Sequence, residues 1–101
     1  MTTPALNWAD VDKLVHEPAR LVILTILAAV DQADFLYLLR EANLTRGNLS
    51  AHLSKLEEAE YIQVEKTYRG RLPLTLVQLT SKGRQALDDY RIQLKKILGD
   101  S

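Results

Sequence analysis

The chain contains no cysteine, which excludes disulfides, thiolate metal sites and thiol redox sensing and removes any hint of a secreted scaffold; the expected compartment is the cytoplasm. Histidine is nearly as scarce, with two in 101 residues. A transition-metal site would need carboxylates in an arrangement the sequence does not offer, so neither metal nor cofactor is expected. Also missing are a Ser/His/Asp order with motif context, a glycine-rich phosphate loop and a convincing carboxylate pair, and no enzyme is expected. The longest apolar run, residues 21–30, is broken by Thr25 and falls well short of the ~20 residues that span a bilayer. The start, with Thr2, Thr3 and Pro4, lacks the basic-then-apolar order of a targeting segment. No tract rich in proline, glycine or serine divides the chain, so residues 1–101 read as one domain.

Charge of either sign in excess is absent as well: 13 basic and 13 acidic residues give a formal net charge of zero. That argues against binding polyanions over the whole surface but leaves room for a local basic face. The charge is in fact segregated. Lys66, Arg69 and Arg71 crowd one short stretch, while Glu57, Glu58 and Glu60 gather at a neighbouring helix end.

Periodicity orders what is present. Asn7, with Asp10 three residues on, suits the cap of a first helix over about 7–16 carrying Trp8, Val11, Leu14 and Val15 at helical spacing. Pro18 suits the start of a second, whose run Leu21, Ile23, Leu24, Ile26 and Leu27 is apolar nearly all round and therefore buried. Asp34 caps a third, with Phe35, Leu38, Leu39 and Ala42 on its apolar face. Asn43 tolerates the left-handed conformation that ends it, and Thr45 caps a fourth built on Leu49, Leu53 and Leu56. Two helices thus meet across a very short turn, the spacing of a helix-turn-helix, although any αα corner would look the same. After Tyr61 the period becomes alternating, and residues 62–79 read as a hairpin with Arg69, Gly70 and Arg71 at its tip. Thr80 restarts helix to about 98, where Leu87, Tyr90, Leu94 and Ile97 form a coiled-coil-like seam that Gly99 closes. The fold class is mainly α with a β-hairpin, α+β.

This order resembles the winged helix-turn-helix regulators of the MarR-like and ArsR-like kind, most of all their small members made of the DNA-binding domain alone. The resemblance rests on His16, Pro18, Arg20 and Ile23 in the second helix and Phe35 and Leu38 in the third. It rests further on the run LTRGNLSAHLSKL at 44–56 and on LTSKGR at 79–84, and covers nearly the whole chain. One departure is plain: the family usually has a glycine before the residue that opens the first wing strand, and here that position is Glu60. The resemblance implies a sequence-specific, duplex-DNA-binding transcriptional regulator that works as a homodimer.

Residue by residue, the helix from Thr45 to Glu60 buries its leucines and turns Gly47, Asn48, Ala51, Ser54 and Lys55 outward. That small polar surface admits close approach to a major groove. Asn48 suits adenine edges and Arg46 guanine or phosphate, while Thr45, Ser50 and Lys55 suit phosphates. Lys66 and the tip residues Arg69, Gly70 and Arg71 suit a backbone or a minor groove. Tyr68 is expected to pack at the wing base rather than stack on DNA, and His16 to be structural. His52, between the buried and outward faces, suits a structural role or phosphate contact. Trp8, Val11, Leu14 and Val15 with Leu87, Tyr90, Leu94 and Ile97 are the expected dimer contacts. An assembly module that never meets DNA shares the fold but has no need of five cations on one face.

Overall fold

The structure, a computed structural model, describes residues 11–99. Pro18 opens α1 (Pro18–Ala28) with a φ already suited to the first turn. The extended Glu17 before it accepts the amides of Ala19 and Arg20 at 3.0 and 3.1 Å. A two-residue strand β1 (Ala33–Asp34) leads into α2 (Phe35–Ala42), where the Asp34 carboxylate accepts the Tyr37 amide at 2.7 Å. Asn43 ends α2 at a left-handed φ of 54°, and the amides of Leu44 and Asn43 return to the carbonyls of Leu39 and Arg40. Thr45 then caps α3 (Arg46–Glu58) by accepting the Asn48 amide at 3.2 Å. Only residues 43–45 separate the two helices, so the helix-turn-helix spacing holds.

The hairpin runs as β2 (Ile62–Arg69) and β3 (Leu72–Leu79), with Val64 opposite Val77 and Tyr68 opposite Pro73 across a turn in which Gly70 takes a positive φ of 64°. β1 adds to the free edge of β3, giving the antiparallel order β1-β3-β2. The last helix, α4 (Ser81–Leu98), lies against α1. Ile23, Leu24 and Leu27 of α1 form the centre of the core with Leu38, Leu49, Leu56, Ile62, Val77 and Leu87, all fully buried. Each such side chain stabilises the fold by roughly 1.5–3 kcal/mol.

The expected first helix is corrected by its described part. Residues 11–16 form a turn, because the Asp12 carboxylate takes the amides of Leu14 and Val15 at 2.9 and 3.3 Å, offering the backbone an alternative to helix. Pro18 adds to this by holding Glu17 extended. Asn7, Trp8 and Asp10 lie outside the described residues.

The join between α3 and β2 answers the departure at Glu60. Glu60 adopts the left-handed conformation itself, with φ 65°, and the amides of Glu60 and Tyr61 bond the carbonyls of Glu57 and Leu56 at 2.9 Å each. This is the Schellman pattern, made with glutamate where glycine is easier. Thr80 clasps the corner: its hydroxyl donates to the Glu60 carbonyl at 2.7 Å and its amide to that of Tyr61 at 3.0 Å. The same hydroxyl oxygen accepts the Gly83 amide at 2.9 Å, capping α4. Gly83 is required by space, since a methyl group there would overlap the Tyr61 carbonyl and come within 2.8 Å of Leu79 Cδ1. The Tyr61 hydroxyl donates to Asp12 Oδ2 at 2.6 Å.

Two outcomes are expected in urea unfolding. Glu60→Gly should stabilise by about 0.5–1 kcal/mol, the left-handed strain relieved less the entropy glycine adds to the unfolded chain. Gly83→Ala should cost about 3 kcal/mol or more, because the obstacle is backbone. A third outcome concerns pH. Burial, then the hydrogen bond to Asp12 and its charge, push the Tyr61 hydroxyl from 10.0 to about 12. A pKa raised by folding stabilises fully below the unfolded value and ceases to as pH climbs through the folded one. Between pH 10 and about 12, wild-type stability should therefore fall more steeply than that of Tyr61→Phe, compared by unfolding at each pH.

Candidate nucleic-acid interface

On α3 the leucines at 49, 53 and 56 are buried, and Arg46, Gly47, Asn48, Ser50, Ala51, Ser54 and Lys55 are exposed. The 3.6-residue period alone produces this division. Thr45, exposed at the helix start, uses its hydroxyl oxygen as acceptor for Asn48, which leaves its proton free to donate outward. Apart from its chain neighbours and the backbone of its own helix, no described heavy atom lies within 4 Å of where a Gly47 side chain would begin. A glycine in a helix is less favourable than alanine by roughly 0.5–1 kcal/mol, and nothing inside the chain calls for one at 47.

The wing supplies the other side. Lys66, Arg69, Gly70 and Arg71 are exposed, and residues 66–75 contain no acidic side chain. Arg46 shares a shallow cleft with Asp34, Phe35, Pro73 and Thr75, so the start of α3 and the start of β3 are neighbours. Arg46, Lys55, Lys66, Arg69 and Arg71 make no ion pair among the described residues, whose four pairs involve Arg20, Arg40, His52 and Arg91. Glu57 and Glu58 are exposed at the opposite end of α3. Tyr68 does not pack at the wing base. It lies next to the turn with 70 % of its surface exposed, because the hairpin extends past the helices that would cover that face.

Sequence reasoning missed a polar cluster beneath α3. His52 Nδ1 lies 3.3 Å from both Arg20 Nη1 and Glu17 Oε2, and Arg20 Nε donates to the Leu14 carbonyl at 2.7 Å. Burial pushes the Glu17 carboxyl up, but the amides of Ala19 and Arg20 and the charges of His52 and Arg20 outweigh it and hold the group below its ordinary value. His16 Nδ1 meets the Tyr90 hydroxyl at 2.8 Å. Both histidines thus join elements of the fold. The available signal was Glu17 directly before Pro18, since a proline at the first helical position makes the preceding residue a cap.

Of the expected dimer contacts, Val11, Val15, Leu87 and Tyr90 are buried in the chain's own core, leaving them nothing to hide against a partner. Leu14, Leu94 and Ile97 are half-buried, and Leu98 on the same stripe of α4 is 75 % exposed. Trp8 lies outside the described residues. Among the described residues no cluster of His, Asp and Glu could hold a metal ion, and no helix is long and apolar enough to cross a membrane.

The geometry matches known proteins. An uncharacterised protein of Methanocaldococcus jannaschii is 35 % identical over 86 residues, 84 % of this chain and 92 % of that one. The structure of a transcriptional regulator homologue from Pyrococcus horikoshii superposes with a TM-score of 0.81 at 28 % identity, covering 86 % of each chain. A MarR-family transcriptional regulator from Silicibacter pomeroyi follows at 0.65 and 25 % identity, covering 84 % of this chain and 59 % of its own. The family model of the winged helix DNA-binding domain matches residues 19–98, which take in every element from α1 to α4. With its helix-turn-helix, its two-stranded wing and that match, the chain belongs to the winged helix DNA-binding domain family.

Proposed function

We propose that the chain is a sequence-specific transcriptional regulator that places α3 in the major groove of duplex DNA and lays the wing along the adjoining backbone or minor groove. The observation that carries this reading is the pairing of an outward face of small polar residues on α3 with five cations that make no ion pair among the described residues. Asn48 reads a base edge, Arg46 reads guanine or grips phosphate, and Thr45, Ser50 and Lys55 hold phosphates. Lys66, Arg69 and Arg71 follow the backbone beside Gly70. Gly47 and Ala51 keep the helix surface low enough to enter the groove. The protein acts by binding, in the cytoplasm, and catalyses nothing. Uncommitted cations on helix and wing favour DNA over an assembly-only role, for which they would have no use.

The proposed active form is a two-fold dimer joined through the end of α4. Leu94, Ile97 and Leu98 continue the apolar stripe of that helix after Leu87 and Tyr90 have entered the core, and Leu14 lies at its margin. Two α3 helices then meet operator half-sites spaced about one helical turn, ~10 base pairs, or a multiple of it.

Selection from a library of random duplexes should enrich a defined sequence. Against that sequence, Asn48→Ala and Arg46→Ala should each lose roughly 1–3 kcal/mol of discrimination at one base pair with unfolding unchanged. Gly47→Met should separate stability from function, raising the unfolding midpoint through better helix propensity while weakening binding at least tenfold or so. A Gly47→Met variant that binds as well as the wild type would show that α3 does not enter a groove. For the dimer, Leu98→Asp should leave the fold intact, since that side chain is bare in the single chain. It should shift sedimentation to the monomer and lower affinity for a two-half-site duplex; a wild type that sediments as a monomer while binding that duplex at full strength rules the dimer out.

A further inference from the structure

The two faces of the wing differ in what covers them. Residues paired across the hairpin lie on the same face, and successive residues of a strand on opposite faces. Ile62, Val64, Val77 and Leu79 share the inner face and join the core. The outer face carries the pairs Gln63 with Gln78, Glu65 with Leu76, Thr67 with Leu74 and Arg69 with Leu72. It therefore bears a row of leucines, at 72, 74 and 76, none of which belongs to the core or packs against it. Leu72, at the tip end of that row, is 69 % exposed, whereas Leu76 at the other end lies in a hollow with Gln63, Glu65 and Gln78. One end of the row is a knob and the other a socket.

We infer that the outer face of the wing is a contact surface for a second copy of this chain, held face to face across a two-fold axis that passes by Thr67 and Leu74. Such an axis, lying across the strands, reverses their direction and sets β2 over β2 and β3 over β3. Leu74 then meets Leu74 of the second copy, and Leu72 of each copy enters the hollow beside Leu76 of the other. Sheets stacked in this way lie about 10 Å apart with their strands within about 30° of each other, a gap that facing leucines fill. The charges agree with the same register. Glu65 and Arg69 stand four residues apart on one strand, roughly 13 Å, too far to pair within a chain. Neither makes an ion pair among the described residues. The axis sets Glu65 of each copy opposite Arg69 of the other. Eight residues a side fall well short of the roughly 20–30 in a standard interface, so the pairing is weak, with a dissociation constant of roughly 0.1–1 mM. It is separate from the contact proposed for α4, and a chain that uses both extends the dimer into a larger assembly. On the DNA-binding reading above, Arg69 cannot serve a phosphate and Glu65 of a second copy together, so duplex DNA and that copy compete for the wing.

The test uses the Leu98→Asp background, in which the α4 contact is removed, and reads self-association by sedimentation equilibrium up to about 1 mM. Glu65→Arg sets two arginines against each other at both ends of the contact, and Arg69→Glu sets two glutamates there. Each should weaken the pairing about tenfold. The two variants mixed in equal amounts should associate with one another as strongly as the parent does with itself, and Glu65→Arg combined with Arg69→Glu should recover the parent's strength. Leu72→Ser with Leu74→Ser should take the pairing out of the measurable range. Residues 65, 69 and 72 are exposed and Leu74 is outside the core, and unfolding should confirm that every variant is folded. A parent that stays monomeric at that concentration overturns the pairing and leaves the face to some other occupant. So does association that survives either single reversal, or a mixture that fails to recover it, because the contact then lies elsewhere or in another register. No readout here involves DNA, so failure of the DNA-binding reading would be a separate result.

Discussion

Two carbonyl oxygens, those of Glu60 and Tyr61, determine how α3, the wing and the long last helix stand relative to one another. Both lie at the corner where α3 has just ended and β2 is about to begin. Thr80 donates to each of them from the start of α4, and Gly83 brings the α4 backbone onto the Tyr61 carbonyl. The net worth of one such hydrogen bond is modest, ~0.5–1.5 kcal/mol, but the three elements cannot separate without breaking all of them and opening the packing around Gly83. The relative placement of α3 and the wing is therefore pre-set by the fold. This also explains why a glutamate is tolerated in a left-handed corner: the strain at Glu60 is held by the Schellman bonds on one side and by Thr80 on the other.

A second set of polar contacts closes the molecule from the N-terminal side. Asp12 bonds two amides of its own turn with one oxygen and Tyr61 with the other, so the turn is tied to the same corner. Arg20 links the turn to His52 on α3, and His16 links it to Tyr90 on α4. Among the described residues no buried side-chain nitrogen or oxygen lacks a partner, which is what allows a half-buried histidine and glutamate to lie under α3 without penalty. α4 and α3 are thus braced against α1 on one side and against each other at the corner. Any spacing set by pairing of α4 would be transmitted to α3 with little slack.

Much of this was legible in the sequence because it is local. The caps Asp34, Thr45 and Thr80 and the left-handed Asn43 follow from side-chain reach, and the hairpin over 62–79 from alternation. What was not legible is non-local. That Asp12 turns the backbone at 11–16 depends in part on its contact with Tyr61, 49 residues away. β1 exists because β3 has a free edge, not because Ala33 and Asp34 favour strand. Alternation put Tyr68 on the face of Ile62 and Val64, but that face is covered at Ile62 and bare at Tyr68, because the strands outrun the helices. An apolar stripe on α4 was visible; that α1 covers its first half was not.

Several residues that break local rules lie on α3 and the wing. Gly47 weakens the first turn of a helix in open space, and Tyr68 and Leu72 put apolar surface into water at a tip that any polar pair would suit better. Glu57 and Glu58 occupy the last turn of α3, where the helix dipole favours cations. Local stability accounts for none of these, and such departures concentrate where a sequence answers to something outside the chain. Gly47 lies on the face of α3 proposed above to enter the groove. The two glutamates lie at the far end of the same helix beside Lys55, while no acidic side chain interrupts the cations of residues 66–75. A chain with no net charge can thus still present a polyanion with a locally basic face, because its charge is separated along α3 and the wing.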